Sequence, residues 1–174
     1  FTLNGAVVTT PDETVNGVAN DIVVALDDGN DTFRFLGKAA GGASNVPAEL
    51  MIHNADGSNV NILDEVLVNG NLQVIKNAGS SGYSELQILN STIIGNTQVN
   101  NVGIGTGDTK TLIDNSHLQG GGPGNWGLQL INPNGEDIFD ALGNSQFGTG
   151  NFVGNPPVIH INNADGGSRT TFTG

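Results

Sequence analysis

Asp27, Asp28, Asn30 and Asp31 crowd around Gly29 and form the densest set of oxygen donors in the chain. Carboxylate and amide oxygens at this spacing suit a hard cation, and calcium is the cofactor they would take. The same residues also make an acidic, solvent-facing turn, which needs no metal. Three histidines, His53, His117 and His160, each lie beside strand-forming residues, and none has the close spacing of a compact metal motif. The single tryptophan, Trp126, ends the glycine-rich string Gln119 to Trp126. Such an indole can stack on a sugar ring or anchor a protein interface, or it can cover the core where the loop departs.

Acid catalysis would need paired carboxylates. Asp64-Glu65, Asp114 and Asp140 are the available acids if the chain is similar to parallel β-helix polysaccharide lyases and hydrolases, which use Asp, Lys or Arg clusters on one long face. With Arg34, Lys38, Lys76, Lys110 and Arg169 as the whole basic complement, an acidic polysaccharide would find little charge stabilisation. Serines lack a nucleophile-elbow context, and the glycine-rich strings lack the lysine and strand–helix setting of a phosphate loop. No catalytic residue is assigned, and a polysaccharide-degrading enzyme is the third reading of function. Asn30-Asp31-Thr32 and Asn90-Ser91-Thr92 are formal glycosylation sequons, relevant only on a glycosylating export route.

The elements that would position these groups are β-strands. Of 174 residues, 27 are glycine, only 5% are aromatic and 13% charged, which is not the composition of a helical enzyme. One domain spanning residues 1–174 is expected. Seventeen acids against five bases give a formal charge of -12, which disfavours nucleic acid and anionic bilayers as partners. Cysteine is absent, so no disulfide or thiolate chemistry exists. No apolar run reaches membrane-spanning length, and the Phe1 start points to a processed or excised chain, compatible with an extracellular or cell-surface location.

Ser84 to Gly120 carries the organising pattern: short alternating strands, an Asn-Ser corner, another short strand and a glycine stop. The phrase recurs at Leu50–Ala55, Leu72–Ala78, Leu86–Ser91, Thr111–Ser116 and Val158–Ala164, with a looser copy at Ala141–Ser145. Asparagine tolerates the left-handed conformation of a sharp corner, and stacked corners can bond to one another. The spacing from Asn77 to Asn90 is about half that from Asn90 to Asn115, so either one coil carries two such corners or the phrase is a common strand ending. Phe33 and Phe35 should face inward together. Glu136–Leu142 reads as a short helix or a strand.

The expected architecture is an all-β parallel β-helix or β-solenoid of about seven coils of roughly 20 to 25 residues. The alternative is an antiparallel jelly-roll or immunoglobulin-like sandwich. Residues 1–20 would form a cap or an intersubunit strand, with Phe1, Leu3, Val7 and Val8 reaching the edge near Phe172 of a neighbouring copy.

Two resemblances extend this reading. Asp28-Gly29-Asn30-Asp31-Thr32-Phe33 resembles the glycine- and aspartate-rich nonapeptide of calcium-binding β-roll proteins, although Asp27 stands where a glycine is expected. Val68-Asn69-Gly70-Asn71-Leu72-Gln73-Val74 looks like phrases in viral tail fibres and bacterial adhesins. The function expected is a secreted or cell-surface structural protein that self-assembles as a homo-oligomer or polymer into a filament, sheath or layer. The alternative is an adhesin or viral fibre domain that binds carbohydrate or a cell surface through Trp126.

Overall fold

In the computed structural model the chain winds into a three-faced parallel β-solenoid, with no helix among the described residues. The structure describes residues 19–37, 42–76, 82–101, 107–120, 126–132, 135–148, 158–163 and 167–174. Coil one contributes β1 (Ile22–Leu26), β2 (Asp31–Leu36) and β3 (Ser44–Val46), and coil two β4 (Leu50–Asn54), β5 (Asn59–Asp64) and β6 (Val66–Val68). Coil three holds β7 (Leu72–Lys76), β8 (Ser84–Leu89) and β9 (Thr92–Ile93), and coil four β10 (Thr97–Asn100), β11 (Thr109–Asp114) and β12 (His117–Leu118). Coil five holds β13 (Trp126–Asn132), β14 (Asp137–Leu142) and β15 (Gln146–Phe147); β16 (Val158–Asn163) and β17 (Arg169–Phe172) complete the stack.

First, second and third strands of successive coils form faces A, B and C, with six, six and five strands. Among the described residues every neighbouring pair of strands within a face runs parallel, for example Leu50 against Leu72 and Ile62 against Gln87. The antiparallel sandwich is therefore excluded. The described residues form six rungs, and the coil length varies: Leu72 follows Leu50 by 22 positions, Leu50 follows Ile22 by 28, and Ile159 follows Leu128 by 31. At about 4.8 Å per rung the stack is roughly 24 Å tall.

Strand alternation supplies the core. On face A, Val24, Ile52, Val74, Val99 and Leu130 form one inward row. Face B aligns Leu63, Ile88 and Ile113, and face C aligns Val46, Val68, Ile93 and Leu118. Each such side chain, fully removed from water, contributes about 1.5–3 kcal/mol before ordering costs. Phe33 is buried and Phe35 packs on the core, as their shared period predicts. The segment read as helix or strand is β14: Asp137, Phe139 and Ala141 point inward while Ile138 and Asp140 do not, a period of two that only a strand provides.

At Asn90 and Asn115 the recurring phrase is a corner, whereas Asn77, the copy at half the spacing, lies outside the described residues. Between faces B and C, Asn90 and Asn115 adopt φ of 48° and 46°. The serine after each asparagine then bonds the neighbouring coil: Ser91 Oγ accepts from Val66 N and Ser116 Oγ from Ser91 N, both at 3.0 Å. Glu65 holds the same left-handed position at φ 56° without asparagine's tolerance for it. Between faces A and B, stacked glycines do the equivalent work. A Cβ on Gly57 would stand 1.9 Å from Gly29 O, and one on Gly82 would stand 2.7 Å from Gly57 O, so the backbones pass too closely for a side chain.

Candidate functional site

The site is built on the outward positions of face A, where inward burial leaves every second residue facing out. Gln73, Gln98 and Gln129 occupy one such row on coils three, four and five, and His160 continues it on coil six. Gln73 Nε2 donates to Glu49 Oε1 at 2.8 Å, and Gln98 Nε2 to Gln129 Oε1 at 2.9 Å. One end of each of these two amides is thereby fixed. Below the row, Asn71 Oδ1 accepts from Asn96 N at 2.9 Å, so the corner preceding the strands is also tied coil to coil.

Trp126 reaches this row through a bulge. Gly127 and Leu128 are both buried, and the register between β13 and β16 shifts between Trp126 and Leu128. Without the extra residue, alternation from Leu128 would turn Trp126 inward; the bulge re-aims it outward. The indole is 37% exposed and lies over the His160 ring at a centroid distance of 5.3 Å and an interplanar angle of 30°. Indole and amides together bound a shallow groove of about 210 Å³, with Thr97 at its floor. None of its lining residues carries a formal charge, on a chain whose net charge is -12.

The sequence singled out Trp126 but left its exposure open, and it missed the glutamines. Their signal was present: Leu72-Gln73-Val74, Thr97-Gln98-Val99 and Leu128-Gln129-Leu130 each place glutamine between two inward residues. Gln119 and Gly120 of the adjoining loop are described, whereas residues 121–125 lie outside the described residues.

The acidic turn near Gly29 is engaged in the stack. Asp28 Oδ1 accepts from Asp56 N at 3.3 Å, and Asn30 Oδ1 accepts from Ser58 N at 3.0 Å. Asp31 pairs with Asn59 at the start of face B, while Asp27 is exposed. Among the described residues no three His, Asp or Glu side chains form a metal-holding group. The histidines are distributed over coils two, four and six: His53 lies on β4, His117 Nε2 is 2.6 Å from Gly148 O, and His160 stacks on Trp126.

Of the acids considered for hydrolysis, Asp64 and Asp114 stand two coils apart in one outward row of face B, through Leu89, and Asp140 lies on the next coil of that face, beside Leu112. Asp64 Oδ1 accepts from Asn90 Nδ2 at 3.0 Å, and Asp140 pairs with Arg169 at 2.8 Å. On face B, Tyr83 and Gln87 donate to Glu85 at 2.9 and 2.8 Å, and Lys110 lies 3.1 Å from the same carboxylate. Burial pushes the Glu85 carboxyl up, but the Gln87, Lys110 and Tyr83 contacts outweigh it and hold it below the ordinary range. Burial likewise drives the Tyr83 hydroxyl upward, reinforced by Glu85.

Of the intersubunit candidates, Phe172 lies on β17 and is 56% exposed. Phe1, Leu3, Val7 and Val8 lie outside the described residues. No helix among the described residues is long and apolar enough to cross a membrane. Comparison with protein-family models, with curated proteins and with solved structures finds no match to this chain.

Proposed function

We propose that this chain is a structural protein of the cell surface or extracellular space whose solenoid associates end to end with further copies, building a filament, sheath or layer. The observation that carries the reading is the exposed face of β17. Phe172 belongs to the inward row of face B, stacked beyond Ala141, yet it is more than half exposed. It sits 5.5 Å from the Phe139 ring and 6.3 Å from the Phe147 ring, so three aromatic rings meet at that end. A strand laid against β17 in register would extend the hydrogen-bond ladder and cover the ring at once. The charge of -12 opposes sideways clumping, and calcium bound near Asp27 and Asp28 would tune association by lowering that charge.

Sedimentation velocity and negative-stain microscopy over a range of protein concentrations test this. End-to-end association predicts rods of growing length, shortened or abolished by Phe172→Lys with the fold retained by circular dichroism. A protein that stays monomeric throughout, or rods unaffected by Phe172→Lys, would refute it.

A further inference from the structure

We infer that the groove beside Trp126 is a binding site for an uncharged oligosaccharide lying across coils three to five. Three observations converge. The indole is held open and braced by His160, giving the flat, apolar face on which a sugar's C–H surface stacks. Next to it, Gln98 and Gln129 form a ladder fixed at one end by their mutual bond, so their remaining amide atoms are preorganised donors and acceptors for hydroxyl groups. Gln73 and Asn71 repeat the same chemistry one coil away, giving a chain-like ligand equivalent contacts at rung spacing.

Charge selects the class. A uronic acid or sulfated sugar would bring anionic groups to a strongly acidic protein at a groove with no cationic side chain, whereas a neutral sugar loses nothing by that arrangement. The inference is independent of end-to-end association, since all the residues involved lie on the side of the solenoid and a monomer would bind as well.

Trp126 is the only tryptophan, so its intrinsic fluorescence reports this groove alone. Titration of the full chain with cellohexaose, xylohexaose, maltohexaose and chitohexaose should give a saturable change for at least one, and hexagalacturonate should give none. Calorimetry with the responding sugar should then show affinity falling more than tenfold in Trp126→Ala and about three- to tenfold in Gln98→Ala. Gln98→Ala decides the matter if Trp126→Ala fails to fold, because Gln98 points outward from β10. Silence with every neutral hexasaccharide, preference for hexagalacturonate, or unchanged affinity in a folded variant would overturn the assignment.

Discussion

At the corner between faces A and B, coils two and three enclose an ammonium group, and coils four and five enclose a carboxyl group. Lys76, 2% exposed, donates to Gly57 O and to Asn59 Oδ1, both at 2.5 Å. Burial lowers its pKa, while Asp56 and Asp31 act in the opposite direction. Asp137, fully buried, stands in the row that Asp31 and Asn59 begin on face B. Its Oδ1 accepts from Thr109 Oγ1 at 2.7 Å, and Oδ2 has no hydrogen-bond partner among the described residues. Where Lys76 stands on coil three, coils four and five carry Asn101 and Asn132, whose amides bond each other at 2.7 Å.

The difference teaches how a repeated backbone handles a polar interior. Stacking fixes the positions, but each coil must neutralise its own buried groups. The lower corner does so with a cation that reaches carbonyl and amide oxygens and lies near acids. The upper corner has no cation among these side chains, so burial, abetted by Asp108 and only partly offset by Thr109, raises the Asp137 carboxyl to about 6. It is therefore neutral in mild acid and charged at higher pH.

The largest effect should come from Lys76→Met. It keeps the buried stem but strands the buried Asn59 Oδ1 and the part-buried Gly57 O, and should cost about 3 kcal/mol in urea unfolding. A loss below about 1 kcal/mol would mean that the corner relaxes and that the ammonium does not organise it. Next comes the pH dependence of Asp137. Because its folded-state pKa is raised above the ordinary 3.8 to about 6, its stabilising proton is fully in place below pH 4 and is lost as pH rises through 6. The resulting loss by pH 8 is on the order of 3 kcal/mol. Asp137→Asn should remove that decline and exceed the parent at pH 8 by about 1–3 kcal/mol. Urea midpoints of parent and variant that run parallel from pH 5 to pH 8 would count against a neutral buried carboxyl.

Thr109→Val is the finest probe. Removing the hydroxyl should cost about 1 kcal/mol and move the pH midpoint of the stability loss upward, since the hydrogen bond favours the ionised carboxylate. An unmoved midpoint would show that Thr109 does not set the acidity of Asp137.

Much of the fold was legible beforehand, for a local reason. Alternation around Leu86, Ile88 and Ile113 gives strands, and the left-handed tolerance of Asn90 and Asn115 gives corners. Glu65 occupies the same corner without that tolerance, so no local rule could place it there. Coil count was less legible, because the spacing of equivalent strands varies, from 22 positions between Leu50 and Leu72 to 31 between Leu128 and Ile159. The site was half legible: Trp126 could be named, but its outward aim depends on a bulge at Gly127 that is defined only by pairing with β16.

By itself, the sequence determined that short strands would alternate, turn at asparagine and glycine, and carry a strongly acidic, cysteine-free surface, because these properties belong to single residues and their nearest neighbours. Tertiary structure alone decided that the strands run parallel in three faces, that Gln98 meets Gln129, that Trp126 lies over His160, and that Lys76 and Asp137 occupy corresponding corners. Those relations join residues separated by whole coils, and the energy that fixes them exists only once the coils are stacked.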